Sequence, residues 1–467
     1  LTFQYIENNF ISLFKGEVVL TQDKAKTLTQ NIFAHLNSQE NLEVLLKSSQ
    51  TQSTRFADNG ITQNVSIHEE KYLLRMQSEG RQARIQVDHL EDSVLPRFLL
   101  QLRTLLKMAP KTDPIPLTDV ALEPSSSSGF SENTFRNSPE ERVSILEQRI
   151  TPLKKSKSLT SGSYTTKAGS LTYANSLGVF GYYPKTLGSL DVTATSAEEE
   201  TEGASLGLNQ DIQQINSEHI FQESIQLSER AKKAKACDPG YYTVVLHPKA
   251  TCDLLYFLVE LCFPTQNYQE GTSFLSQKLG QKLFSEHLFV EENAFHPELR
   301  GFPFDFEGIA KQKRTLIQDG VPLQLVHDRL TAKKAGTVSS GHSLPQPNAT
   351  GPYPTNIVMK GGTSSMEEMI ASTTRGIWVN RFHYTNVVQP MEMILTGMTR
   401  AGVFWIENGK ISHPINNFRF TINLAEVFRN IEMLGPSQLV DKSIFEQSIL
   451  APAMKVSHFH FSSSTAF

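Results

Sequence analysis

Tyr241-Tyr242-Thr243-Val244-Val245-Leu246-His247-Pro248-Lys249-Ala250-Thr251-Cys252-Asp253-Leu254-Leu255-Tyr256-Phe257-Leu258-Val259-Glu260-Leu261-Cys262-Phe263 joins two elements of different period. Tyr241–Leu246 is rich in β-branched and aromatic residues, which suit a pleated strand. From Ala250 to Phe263 the chain is apolar on nearly all sides. Such a helix is expected to be buried core and not a working surface. Pro239-Gly240 breaks the chain just upstream, and the main domain boundary is placed there.

Upstream, residues 21–38 set Ala25, Leu28, Ile32, Phe33 and Leu36 on one helical stripe. Three extended segments follow, at Ile61–Ile67, Tyr72–Met76 and Ala83–Val87, with turns expected at His68-Glu69-Glu70 and Glu79-Gly80-Arg81. Their tight spacing predicts an antiparallel meander. A helix resumes near Pro96, buries Phe98, Leu99, Leu102, Leu105 and Leu106, and stops by Pro110. Between Lys111 and Asp191 the texture changes to loop-like runs, Ser125-Ser126-Ser127-Ser128-Gly129 and Ser161-Gly162-Ser163. That stretch is too long for one loop and must hold strands, with Tyr173–Val179 fitting a strand that enters a turn. Lys154-Lys155-Ser156-Lys157 and Glu198-Glu199-Glu200 read as solvated loops. Residues 212–235 form one amphipathic helix through Ile215, Ile220, Phe221, Ile225 and Leu227.

Downstream, short strands and turns dominate. Ser364 with Glu367 makes a capping-box pattern before Met369 and Ile370, with Gly376 as the exit. Asn423 with Glu426 does the same before Val427, Phe428, Ile431 and Leu434, closed by Gly435-Pro436. The expected architecture is α+β. Residues 1–235 form an N-terminal domain with an antiparallel sheet and helices, and 236–467 a β-rich C-terminal domain.

Composition narrows the class. The 467 residues are 39% hydrophobic and 20% charged, the profile of an ordinary globular protein. A net charge of −4 argues against a nucleic-acid partner. Cys237, Cys252 and Cys262 are too few for a disulfide framework. No run of 18 apolar residues reads as a membrane span, and Leu1-Thr2-Phe3-Gln4-Tyr5-Ile6-Glu7 lacks signal-peptide order. A cytoplasmic location without a membrane partner is expected.

Chemistry is harder to find. A helical zinc peptidase needs two His on one helix face with a Glu beside the first. Neither H-E-x-x-H nor H-E-x-x-x-H occurs, and His247 has no neighbouring Glu. His458 and His460 share one strand face, where such a pair can bind metal, but they read as an ordinary strand face. His327 and His342 are single His in turn-rich sequence. Cys252 and Cys262 sit on the apolar helix, where a thiol is an inert small hydrophobe. Ser339-Ser340-Gly341-His342-Ser343 lacks a nucleophile elbow. Lys360-Gly361-Gly362-Thr363-Ser364 is a Gly turn feeding a capped helix and not a P-loop. No catalytic, cofactor-binding or metal-binding residue is assigned, and no cofactor is expected on this chain.

Several stretches resemble the TldD/PmbA metallopeptidase family, also called modulators of DNA gyrase. Arg55-Phe56-Ala57-Asp58-Asn59-Gly60-Ile61-Thr62-Gln63 is similar to its R-x-A-N-N-G-I-x-Q, with Asp58 for the usual Asn. Glu79-Gly80-Arg81 and Asn175-Ser176-Leu177-Gly178 continue the match. Gly271-Thr272-Ser273-Phe274 through Lys278-Leu279-Gly280, Asp305-Phe306-Glu307-Gly308, Leu316-Ile317-Gln318-Asp319-Gly320-Val321, Pro354-Thr355-Asn356 and Ile406-Glu407-Asn408-Gly409-Lys410-Ile411 follow in the family's order. The match is loosest over 111–210. In the family's catalytic subunit an H-E-x-x-x-H helix precedes the G-x-S-F run, and a Cys near the C-terminus completes the zinc site. Here the corresponding segment, Lys249–Leu258, has neither His nor Glu, and no Cys follows Gly435.

The resemblance therefore implies a non-catalytic PmbA/TldE-type subunit, inactive alone. Such a chain pairs with a TldD-type zinc subunit, or with itself, in a cytoplasmic peptidase complex for proteolysis or peptide maturation. Zinc is expected only in the partner, and a peptide or unfolded segment is the substrate. The alternatives are a standalone scaffold homodimer and a metallopeptidase with a relocated site built from His327, His342, His458 or His460.

Overall fold

The computed structural model describes residues 20–123, 128–441, 443, 445 and 447–465. The stretch Leu1–Glu7 and residues 125–127 of the serine run lie outside them. With 24% helix and 41% strand in separate runs, the architecture is α+β.

The N-terminal sheet has six antiparallel strands, β1 (Asn41–Ala57), β2 (Gly60–Ser78), β3 (Arg81–Val87), β4 (Ser158–Asn175), β5 (Phe180–Ser196) and β6 (Glu202–Asn209). They lie in the order β3-β2-β1-β4-β5-β6, so β6 is an edge. Helices α1 (Gln22–Phe33) and α2 (Leu95–Met108) bury Ile32, Leu99 and Leu102 against Val44, Leu74 and Met76. Helices α3 (Pro139–Ile150) and α4 (Ser217–Arg230) bury Leu146, Ile150, Ile220 and Phe221 against Phe56, Leu190 and Val192.

Strand β1 carries no clean alternation and was not expected. Its pairing with β2 through 17 registered residues makes both strands long. His68-Glu69-Glu70, expected as a turn, lies inside β2 opposite Gln50, Ser49 and Ser48. The ladder supplies backbone partners there, while the mostly exposed face keeps the charges wet. The real hairpin turn is Asp58-Asn59, both at positive φ, where Asn tolerates the left-handed region. Ser161-Gly162-Ser163, expected as linker, is strand β4. A Cβ on Gly162 would stand 2.0 Å from the Asp191 carbonyl oxygen, so Gly marks a close crossing and not a flexible joint. Helix α3 was missed, although Ser138 and Glu141 form its full capping box.

The C-terminal sheet has eleven strands: β7 (Gly240–Leu246), β8 (Val290–Glu292), β9 (Arg314–Gln318), β10 (Val321–Pro322), β11 (Asn356–Met359), β12 (Arg375–Gln389), β13 (Ile394–Glu407), β14 (Lys410–Pro414), β15 (Phe418–Asn423), β16 (Ile431–Asp441) and β17 (Ser448–Ser464). The path β7-β12-β13-β15-β17 returns to β7, because β17 pairs with both β15 and β7. This five-strand ring removes its own edges. Helix α5 (Pro248–Cys262) lies on it, with Leu254, Leu255, Leu258 and Val259 fully buried among Phe382, Phe420, Met454 and Phe459. The capping box of Met366–Ala371 falls on Ser365 and Glu368, one residue later than expected. Gly376, expected as a helix exit, lies within β12, and Gly435-Pro436 lies within β16. Among the described residues no helix is long and apolar enough to cross a membrane.

Candidate functional site

Helix α5 begins where β7 ends, so its first turn is held by the sheet. His247 caps it: Nδ1 accepts from the Lys249 N–H at 3.3 Å, and Pro248 takes the first helical position. The capping bond, burial and the T-shaped contact with Trp378 account for His247 as a structural residue. Burial drives its imidazole below the usual range, against the opposing pull of Glu223.

The outer face of α5 looks into two clefts. One, of about 430 Å³, runs between edge strand β6, α4 and the start of α5, and is lined by Asp191, His219, Glu223, Lys249 and Arg381 among others. The other, of about 240 Å³, lies between α5 and the outer half of β12, with Lys249, Asp253, Tyr256, Phe257, His383, Tyr384 and Asp441 on its walls. Lys249 lines both. Its Nζ stands 3.4 Å from Asp253 Oδ1, and the Phe382 N–H donates to Asp253 Oδ2 at 3.3 Å. Burial raises the Asp253 carboxyl, and Lys249 opposes that shift. Burial likewise raises Asp191, opposed by Arg381 and Lys249.

The other sequence candidates fall into separate places. Cys252 and Cys262 are buried with thiols pushed far up by burial, which leaves them unreactive. His458 and His460 flank Tyr241, His460 stacking on it at 4.6 Å. His460 Nδ1 lies 3.0 Å from the Thr421 carbonyl oxygen. Gly361 and Gly362 press on the backbone of Leu434–Ser437, so the Lys360–Ser364 turn is a packing joint.

His327 and His342, which no sequence pattern joins, are brought together by Ser340. Its hydroxyl accepts from the His327 N–H at 2.7 Å and lies 3.0 Å from His342 Nδ1. They sit at the edge of a buried polar network. Glu292 accepts from Asn356 N–H at 2.7 Å and Asn356 Nδ2 at 2.9 Å, with His342 Nε2 at 3.4 Å and Lys311 Nζ at 3.8 Å. Beside it, Asp305 accepts from the N–H groups of Glu307, Ile309 and Ser343. Among the described residues no three His, Cys, Asp or Glu side chains come together as a metal-holding group.

Glu307 yields a pH prediction. Burial, then the neighbouring Asp305, raises its carboxyl from the usual 4.5 to about 8. Folding therefore takes up a proton, and the carboxyl supports the fold fully below pH 4.5 and progressively less as pH rises to 8. Glu307→Gln keeps an acceptor for the Arg329 N–H and is expected to gain roughly 1–3 kcal/mol over the wild type at pH 8, and little at pH 5. Urea midpoints at the two pH values check this; an equal or lower midpoint at pH 8 refutes it.

Residues 132–243 match the PmbA/TldA metallopeptidase central domain and 239–463 the PmbA/TldA metallopeptidase C-terminal domain. The chain belongs to the TldD/PmbA metallopeptidase family. It is 31% identical over 195 residues to the metalloprotease PmbA of Escherichia coli O157:H7, covering 40% of each chain. It is 27% identical over 242 residues to a metalloprotease TldD homolog of Buchnera aphidicola, covering 51% of this chain and 50% of the other. The chain thus spans half or less of the length of these two relatives. The crystal structure of TldE from Thermococcus kodakarensis superposes with a TM-score of 0.82 at 18% identity, over 94% of this chain and 99% of that one, a likeness of fold.

Residues on α5 do not fit the zinc that the family's peptidases imply. The helix holds no His, Asp253 is engaged by Lys249 and a backbone N–H, and Glu260 accepts from the Tyr353 hydroxyl at 2.5 Å. A zinc site needs three or four such donors converging at about 2.0–2.3 Å.

Proposed function

We propose that this chain is a non-catalytic, PmbA/TldE-type subunit of a metallopeptidase complex acting in proteolysis or peptide maturation. A TldD-type subunit supplies the zinc, and this chain supplies its cleft and folded surface. The observation that carries the reading is α5. Its inner face is committed to apolar packing, and its outer face carries Lys249, Asp253 and Tyr256 where a peptidase would need metal ligands. Lysine and an aromatic ring do not hold zinc, and Asp253, engaged by Lys249 and the Phe382 N–H, is a single carboxylate where three or four converging donors are needed.

The expected result is a purified, dialysed chain with metal content well below stoichiometric and no chelator-sensitive peptide cleavage. Mixing with a TldD-type chain is expected to give a heteromer by light scattering and zinc-dependent cleavage. One tightly held metal per chain, or saturable cleavage by the chain alone, overturns the reading in favour of a relocated site. Absence of any heteromer favours a self-associating scaffold.

A further inference from the structure

At the end of β7 remote from α5, the ring carries a cleft of about 340 Å³ walled by Tyr241, Tyr242, Thr243, Arg375, Ser457 and His458 among others. Unlike the two clefts beside α5, it has no carboxylate among its described wall residues. Its cation is held by rings. The Arg375 guanidinium stands 5.3 Å from the centre of the Trp405 ring and 5.8 Å from that of Tyr242. Contact with ring faces fixes the group yet uses none of its five N–H donors in a hydrogen bond. Among the described residues no carboxylate pairs with it, although Glu407 faces it in register on β13 and the Asp238 backbone bonds Tyr242.

The wall opposite is a β-bulge. Ser457 and His458 together face the single residue Thr243, between the Val456–Val244 and Phe459–Tyr242 pairs. His458 takes φ +59 there, a left-handed conformation that Gly adopts more readily. Such bulges re-aim a side chain and recur beside functional sites. His460 stacks on Tyr241 and lies against the Thr421 carbonyl, whereas His458 has no hydrogen-bond partner among the described residues. Tyr241 is 65% exposed, so ring surface stands open beside both His458 and the cleft.

The geometry points to a carboxylate-binding site, in which the Arg375 N–H fork takes the anion, His458 adds a ring N–H and Tyr241 supports the carbon chain behind it. A peptide offers that group as its free C-terminus or as an Asp or Glu side chain. This choice of carrier rests on the reading of the chain as a peptide-handling subunit; the anion chemistry does not.

The test uses three fluorescent peptides of one uncharged sequence: one with a free C-terminal carboxylate, one amidated, and one amidated with a single internal Glu. Binding to the full chain is read by anisotropy at low and moderate salt. At least one carboxylate peptide is expected to bind about tenfold tighter than the plain amide, with the preference shrinking in salt. Preference for the first peptide alone assigns the site to chain ends, and preference for the third alone to acidic side chains. Arg375→Gln is expected to erase the preference and Arg375→Lys to keep part of it, since an ammonium retains the charge but not the fork. His458→Gly is expected to cut the preference roughly threefold while the thermal midpoint holds or rises, because Gly accepts the left-handed backbone. Equal binding of all three peptides, no measurable binding, or a preference that survives Arg375→Gln overturns the proposal. Heteromer formation with a TldD-type chain is measured in parallel. A heteromer that forms and cleaves, with no carboxylate preference, removes this site alone; a carboxylate preference with no heteromer removes the subunit reading alone.

Discussion

Glu292→Ala is expected to lower the stability of the chain by about 3–5 kcal/mol, read as a fall in the urea midpoint. The side chain is fully buried, and its carboxylate receives the Asn356 N–H and Nδ2. Lys311, also buried, has its Nζ on Thr355 Oγ1 at 2.6 Å and within reach of Glu292. Truncation would remove the acceptor of the Asn356 N–H and the buried carboxylate beside Lys311, leaving Thr355 Oγ1 as the remaining partner of Lys311 Nζ and Asn356 Nδ2. Losing one partner of such a group costs far more than the net worth of the pair. Burial raises the Glu292 carboxyl, but Lys311, His342 and the Asn356 N–H outweigh it and hold the group at about 2, against the usual 4.5. Its contribution is therefore full above pH 4.5 and is lost as pH falls toward 2. The gap between wild type and variant is expected to narrow over that window. A variant within about 1 kcal/mol of wild type at pH 7 would refute the network's role.

Gly308→Ala is expected to cost roughly 2–5 kcal/mol, from overpacking and from left-handed backbone together. Gly308 sits at φ +72, and a Cβ there would stand 2.1 Å from the Tyr173 ring. The ring has little room to yield. Tyr173 is wholly buried on β4, its hydroxyl donates to Glu43 at 3.3 Å, and Asn175 Nδ2 donates back to it at 3.2 Å. Glu43 is itself clamped by Arg75 through Nε at 2.6 Å and Nη2 at 2.8 Å. The clash thus falls where a C-terminal loop meets the N-terminal sheet. Gly336→Ala separates the two causes. Gly336 has φ +65 and nothing within 4 Å of a new Cβ, so that variant is expected to lose only about 1 kcal/mol. Thermal or urea unfolding of both checks the prediction; equal losses would show that the Tyr173 contact carries no cost.

Much of the local structure was legible. The stripe of α1, the Pro96 start of α2, the β7–α5 junction and the Asn423 cap each follow from short-range rules. Errors cluster where a long-range neighbour overrules the local pattern. Ser161-Gly162-Ser163 has linker composition, yet Gly162 is there because Phe56 and Asp191 approach it closely. Of the cleft, the sequence marked His247 and Cys252 on α5. It gave no hint of Asp191, Glu223, Arg381, Tyr384 or Asp441, which arrive from four other elements. Nor did spacing join His327 to His342, since Ser340 does so through a backbone turn.

By itself the amino-acid order determined α1, α2, the β7–α5 junction and the Asn423 cap, but not β1, α3 or the full length of β2 and β4. It also settled that α5 carries no pair of zinc-binding His, because residue identity needs no folding to be read. Tertiary structure alone decided the return of β17 to β7, which pairs Phe461 with Gly240 and closes the ring beneath α5. It alone gave Glu292, Asp305 and Glu307 their altered acidity, and brought Asp191, Glu223, Arg381 and Tyr384 to the walls of the two clefts beside α5. The reason is range: backbone sterics and side-chain period act over a few residues, whereas burial and the field of a charge depend on which distant segments pack together.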